Sequence, residues 1–264
     1  MNGVEDPECF SGSSLHSSGK GVENMAKERV DKVLSNMGFG SRKEIKEKIK
    51  KKVVTVEGEV ITDPGFKVDP EEDKIIIEGE EVFYRKYIYL MMNKPQGVVS
   101  ATFDNHDQTV IDLLPFDYKA FDPAPVGRLD KDTVGLLLIT NDGEMNHKLL
   151  SPKSHVDKVY YAYLEKEAVE EDVKAFEKGV VLSDGYKCMP AGLEIFEEDP
   201  REVHVTLREG KFHQVKRMFH ARGNEVTYLQ RVSFGPLKLD EELEEGDFRE
   251  LTEEELSALI NVNN

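Results

Sequence analysis

Residues 127–143 read GRLDKDTVGLLLITNDG and place Arg128 and Asp130 just ahead of a run of apolar residues. Asn141-Asp142-Gly143 follows as a turn signal. The run has the length of a strand buried on both faces, so the charged pair stands at its mouth. Two readings are open: a loop salt bridge, or a reactive carboxylate with a cation beside it. A carboxylate on a loop seated against a rigid strand is well placed as a nucleophile or a base, and either role needs its ionised form.

Other elements must position that loop. YIYLMMNKPQGVVS reads as a strand entering a loop at Lys94-Pro95, where proline forces extended backbone before it and Gly97 allows a tight turn after it. A helix is predicted around Glu144 to Leu150. KVYYAYL is a strand that sends Tyr160 and Tyr161 to opposite sides. EEDVKAFEKGV is a short amphipathic helix, and EVHVTL alternates, with Val203, Val205 and Leu207 on one face. HQVKRMFHARG is a basic helix closed by Gly223, with Lys216 and Arg217 pointing about 100° apart. Strands and helices mix without βαβ regularity. Residues 86–262 are therefore expected to form an α+β domain with a mixed, mostly antiparallel sheet flanked by helices.

Ahead of it, residues 26–84 predict a small module of helices and a short β-hairpin. Val30, Val33, Leu34 and Met37 recur at helical spacing, and Gly38 ends that helix. Ser41 and Glu44 form a capping box for a second helix, which buries Ile45 and Ile49 and turns Lys43, Lys46 and Lys50 outward. VVTVEGEVI is a hairpin and DKIIIEG a further strand. Lysines outnumber the acids along that helix, unlike on a merely solvated face.

Net charge is −17 over 264 residues, which taken alone argues against a nucleic-acid partner. Its distribution argues otherwise: Ala26–Val53 holds ten Lys/Arg against four Asp/Glu, whereas Asp240–Glu255 holds ten acids and one arginine. No apolar run approaches the ~20 residues of a membrane span. Cys9 and Cys188 are too few for a disulfide framework or a thiolate metal site, which favours a reducing, cytoplasmic setting. Residues 1–25, rich in Ser and Gly, read as a disordered leader, with Met25 as the expected start.

In order and spacing, NKPQG, GRLDKDTVGLLLITNDG, KVYYAYL and EGKFHQVKRMF resemble the RsuA-type family of ribosomal RNA pseudouridine synthases. The helix–SRKE–helix–VVTVEG pattern resembles the S4 RNA-binding module. Together the resemblance spans nearly all of residues 27–257. It implies a reaction that breaks the C1′–N1 bond of uridine and joins uracil C5 to C1′, with no cofactor and no metal. Asp130 matches the catalytic aspartate, by attack at C1′ or by removing a sugar proton to give a glycal. Tyr160 matches the tyrosine that stacks on the flipped uracil. Lys216 matches the basic partner that compensates a buried Asp130, and Arg217 the phosphate contact. Arg128 either enters the helix the base has left or holds phosphate; the alternative is a salt bridge to Asp132 or Asp130. Lys94 and Pro95 match a motif that buttresses the tyrosine, and Gly127 belongs to the Asp130 loop. In the S4 module, Arg42, Lys43, Lys46 and Lys50 lie on RNA backbone.

The implied partner is ribosomal RNA, 16S in a partly assembled small subunit, with the protein a monomer and no membrane involved. LLSPKSHVDKVY resembles the small-subunit branch, and the chain lacks a long basic extension after RELTEEELSAL. Two alternatives remain: a 23S rRNA synthase, or a non-catalytic S4-containing ribosome-assembly factor. Asp130, Tyr160 and Lys216 together argue against the latter.

Overall fold

The computed structural model describes residues 27–151 and 154–262; the expected leader, Cys9 and Pro152-Lys153 lie outside the described residues. The first part contains β1 (Glu28–Arg29), α1 (Val30–Asn36), α2 (Arg42–Lys50), β2 (Val54–Val56), β3 (Glu59–Val60), β4 (Lys67–Val68), β5 (Ile75–Ile77) and β6 (Glu80–Glu81). The capping box forms as the sequence predicts: the Ser41 backbone N–H donates to Glu44 Oε2 at 2.8 Å, and Glu44 N–H donates to Ser41 Oγ at 3.4 Å. Starting the helix there turns Ile45 and Ile49 inward, fully buried with Val30, Leu34 and the β2 and β5 side chains. Strands β3-β2-β5-β6 make an antiparallel sheet, and β1 pairs with β4.

The second part holds β7 (Tyr89–Lys94), α3 (Phe116–Lys119), β8 (Ala124–Pro125), β9 (Val134–Thr140) and α4 (Gly143–Leu150). Next come β10 (Lys158–Leu164), α5 (Glu170–Lys178), β11 (Gly192–Ile195), β12 (Glu202–Leu207) and α6 (Gln214–Ala221). It ends with β13 (Val226–Phe234), β14 (Leu237–Lys238), β15 (Phe248–Glu250) and α7 (Glu253–Ile260). The main sheet runs β11-β12-β10-β13-β9-β7-β15, with β14 on β13 and β8 on β9. Every pairing is antiparallel except β13 with β9, so the sheet is mixed and mostly antiparallel.

β9 explains the apolar run. Leu137 and Ile139 face one core with Tyr160, Phe176 and Phe219; Leu136 and Leu138 face another with Met145, Leu149 and Leu259. A central strand covered on both faces reads as a continuous apolar run. Much of the acidic C-terminal segment is also folded rather than a free tail. β15 pairs with β7, and Arg249 donates to Asp240 and Glu255 at 2.6–2.8 Å, while Arg85 bridges to Glu250 at 2.7 Å.

Candidate active site

The loop ahead of β9 is pinned from below. Ser100 Oγ donates to the Leu129 carbonyl at 3.0 Å and accepts from the Leu129 N–H at 3.1 Å. Thr133 N–H donates to the Asp130 carbonyl at 3.0 Å. Lys94 is fully buried, and its ammonium donates to the carbonyls of Thr133 (2.9 Å), Pro95 (3.0 Å) and Lys131 (3.5 Å). Burial pushes Lys94 down to about 8, against the opposing pull of Asp132 and Asp130. The Lys94 hydrogen bonds thus go to the backbone of the Asp130 loop and to Pro95, so its polar contacts hold that loop. Gly127 opens that loop at φ +73°, where a Cβ would also meet Leu150 Cδ2 at 3.0 Å.

Above the loop lies a cleft of about 1160 Å³, lined by Arg128, Asp130, Tyr160 and Arg231 among others. That exceeds the ~300–1,000 Å³ of ordinary small-molecule pockets, as suits a segment of polymer. Tyr160 is 9% exposed and lies in the cleft wall. Tyr161 points the other way, against Phe196, His204 and Tyr228. A bulge in the β10–β13 pairing sets Arg231 opposite Tyr160. On its other side Arg231 pairs with Gly135, at φ +101°. A Cβ at Gly135 would stand 2.4 Å from the Arg231 carbonyl oxygen, so the glycine of TVGLLL lets β13 and β9 meet.

The cations differ from expectation in their partners. The basic helix brings Lys216 to the loop, but its ammonium pairs with Asp132 at 2.5 Å rather than with Asp130. That bond holds the Asp132 carboxyl below its ordinary value. The basic group beside Asp130 is His213, whose Nε2 lies 3.7 Å from Oδ1. His213 caps α6 at φ +50° and stacks on the exposed Phe212, ring centroids 3.8 Å apart. Arg217 is not free for phosphate either: it is held by Asp184 at 2.5 Å. Arg128 is exposed in the cleft and forms no ion pair among the described residues, so neither expected salt bridge is present.

On α2, Arg42, Lys43 and Lys46 are exposed and free of ion pairs among the described residues. Lys50 is not: Glu47 pairs with it at 2.7 Å, and Lys48 pairs with Glu78 at 2.9 Å, so the lysine face is partly balanced. Sequence reasoning missed His213, Phe212, Lys158 and Arg231 in the cleft. A strand reading of VTYLQRVSF, which puts Arg231 on the same face as Leu229, was the signal that could have found the last.

Three comparisons bear on the whole. The family model for RNA pseudouridylate synthase matches residues 88–221, and the S4 domain model matches residues 28–75. The chain is 51% identical to the uncharacterized RNA pseudouridine synthase YtzG of Bacillus subtilis (strain 168), over 88% of this chain and 98% of that protein. It is 38% identical to the ribosomal small subunit pseudouridine synthase A of Escherichia coli (strain K12), over 88% of this chain and 100% of that protein. A solved pseudouridylate synthase structure superposes with a TM-score of 0.62 at 35% identity, covering 88% of this chain and 99% of its own.

Proposed function

The chain belongs to the RNA pseudouridylate synthase family and carries an S4 domain, and from that premise we propose that it isomerises one uridine of 16S rRNA in a partly assembled small subunit. The observation that carries the proposal is the shared cleft of Asp130 and Tyr160, with Asp130 on a loop fixed by Lys94 and Ser100. A uracil flipped from the RNA stacks on Tyr160, and the Asp130 carboxylate acts at the sugar, on C1′ or on the C2′ proton. No water attacks, so a second carboxylate of the glycosidase kind is not needed. Lys216, through Asp132, brings positive charge to the loop, and the His213 imidazole stands beside Asp130. Arg128, exposed in the cleft with no ion pair among the described residues, fits the space the base leaves or an RNA phosphate.

The choice of small-subunit RNA is supported by the relatives named for that subunit and by the likeness of LLSPKSHVDKVY to the small-subunit branch. Exposed Arg42, Lys43 and Lys46 supply backbone affinity, which carries no sequence information of its own. The protein acts as a monomer. The test incubates purified protein separately with small-subunit particles and with large-subunit RNA, then maps pseudouridine by primer extension after carbodiimide treatment. One new stop in the small-subunit RNA is expected. Modification confined to the large-subunit RNA would overturn the substrate while leaving the synthase assignment in place.

A further inference from the structure

Isomerisation of uridine passes through a charge-separated state, whichever route Asp130 takes. If the carboxylate bonds to C1′, or if it takes the C2′ proton to leave a glycal, the C1′–N1 electron pair departs on uracil. The released base is a monoanion, its charge spread over N1, O2 and O4. Its C5 then bonds to C1′, displacing the carboxylate on the first route and restoring the C2′ proton on the second. C5 loses a proton and N1 gains one, so the product is an isomer. Between the two steps an anion sits in the cleft.

Of the six lysines and arginines lining the cleft, two are engaged elsewhere and two are exposed. Lys131 is paired with Asp107 at 2.6 Å and Arg208 with Asp157 at 2.8 Å, while Arg128 and Lys211 stand exposed. Arg231 and Lys158 remain. Arg231 is 2% exposed; its Nε donates to the Leu136 carbonyl at 2.8 Å, and its guanidinium lies 5.1 Å from the centre of the Phe234 ring. One terminal nitrogen, Nη2, is buried with no hydrogen-bond partner among the described residues. Lys158 lines the same cleft, donates to the Val156 carbonyl at 2.9 Å, and lies 5.5 Å from the same ring. Neither forms an ion pair with a carboxylate among the described residues. A buried guanidinium held without an anion is costly, and it persists where an anion arrives during function. Burial and the nearby Arg231 both push Lys158 down, to about 8, against the opposing pull of Asp157.

Resting on the synthase reading of this cleft, we propose that Arg231, with Lys158 beside it, is the positive charge that receives the uracil anion as the C1′–N1 bond breaks. A phosphate is the less fitting occupant: a polynucleotide backbone runs across the mouth of a cleft, whereas a flipped base is the part that reaches a fully buried group.

Leaving-group acidity separates this from a structural role. Single-turnover cleavage of the C1′–N1 bond is measured on RNA with uridine or 5-fluorouridine at the target, because fluorine at C5 blocks the proton loss that completes the isomer; the fluorine also makes the departing base a weaker base that needs less help. Arg231→Met is expected to slow the uridine reaction by about 10²–10³-fold, as loss of an oxyanion-stabilising donor does, and the 5-fluorouridine reaction at least about tenfold less. RNA affinity stays within about twofold. Equal losses on both substrates, or activity near wild type, would overturn the proposal. So would weaker RNA binding with a flatter salt dependence, the signature of a phosphate contact. Where Arg231→Met fails to fold, Lys158→Met decides by the same ratio, with a loss on the order of tenfold expected on uridine and a smaller one on 5-fluorouridine. A wild-type protein that converts no uridine in either subunit's RNA would instead sink the underlying reading, and the inference with it.

Discussion

Lys94→Met tests how the loop under Asp130 is held. The substitution leaves the carbonyls of Thr133, Pro95 and Lys131 without their shared donor. Each unpaired buried carbonyl costs about 1–3 kcal/mol. Against this, a buried lysine lowered from 10.5 to about 8 carries a burden near 3 kcal/mol when charged. Three such carbonyls together cost about 3–9 kcal/mol, so the net loss of stability at pH 7 is expected to lie between about zero and 6 kcal/mol. The sign changes the picture at higher pH. Between about pH 8 and 10.5 the unfolded chain holds the Lys94 proton that the folded chain has released. Stability therefore rises with pH through that window in the wild type, by about 2 kcal/mol from pH 7 to 9.5, and Met removes this gain. Urea unfolding at the two pH values measures the difference, with the shared contribution of other groups cancelling between the proteins. A loosened loop also misplaces the carboxylate, so single-turnover activity should fall by about 10²-fold with RNA affinity unchanged. Parallel stability profiles in the two proteins, or activity within threefold of wild type, would refute the reasoning.

Lys43→Ala with Lys46→Ala should weaken RNA binding and lower the log–log salt slope by roughly 0.7–0.9 for each RNA phosphate left without its cation, measured by filter binding; Lys50→Ala should add less, because Glu47 already holds that lysine. Gly135→Ala drives a Cβ against the Arg231 backbone at a φ that L residues avoid, and should cost about 2–5 kcal/mol in urea unfolding. Turnover should survive excess EDTA once the RNA has been folded with counter-ions, as assayed by tritium release; a loss restored only by a transition metal would contradict this.

Legibility in the sequence followed the range of the interactions. The capping box at Ser41, the doubly buried β9 and the alternation of β12 are set within a few residues, and all were readable. Tyr160 and Asp130 were legible because each sits inside a motif. β13 was not, since VTYLQRVSF mixes polar and charged residues on a strand whose register bulges twice against β10. α7 was hidden in an acidic run, where the Thr252–Glu255 capping box is the one local mark of a helix start. Ion pairing was the least legible. Lys216 and Asp132 are 84 positions apart, as partners brought together only by the fold. Choosing Asp132 over Asp130 turns on a side-chain geometry that no local pattern encodes.

The most direct test of the account is Asp130→Asn. An amide is neither nucleophile nor base, while the loop bonds to Ser100, Thr133 and Lys94 run through backbone atoms and survive the change. Tritium release from C5-labelled uridine in small-subunit RNA is measured for both proteins, with RNA affinity and urea unfolding alongside. Release is expected to vanish for the variant with binding and stability nearly intact. Release within tenfold of wild type would contradict the assignment of Asp130 as the catalytic carboxylate.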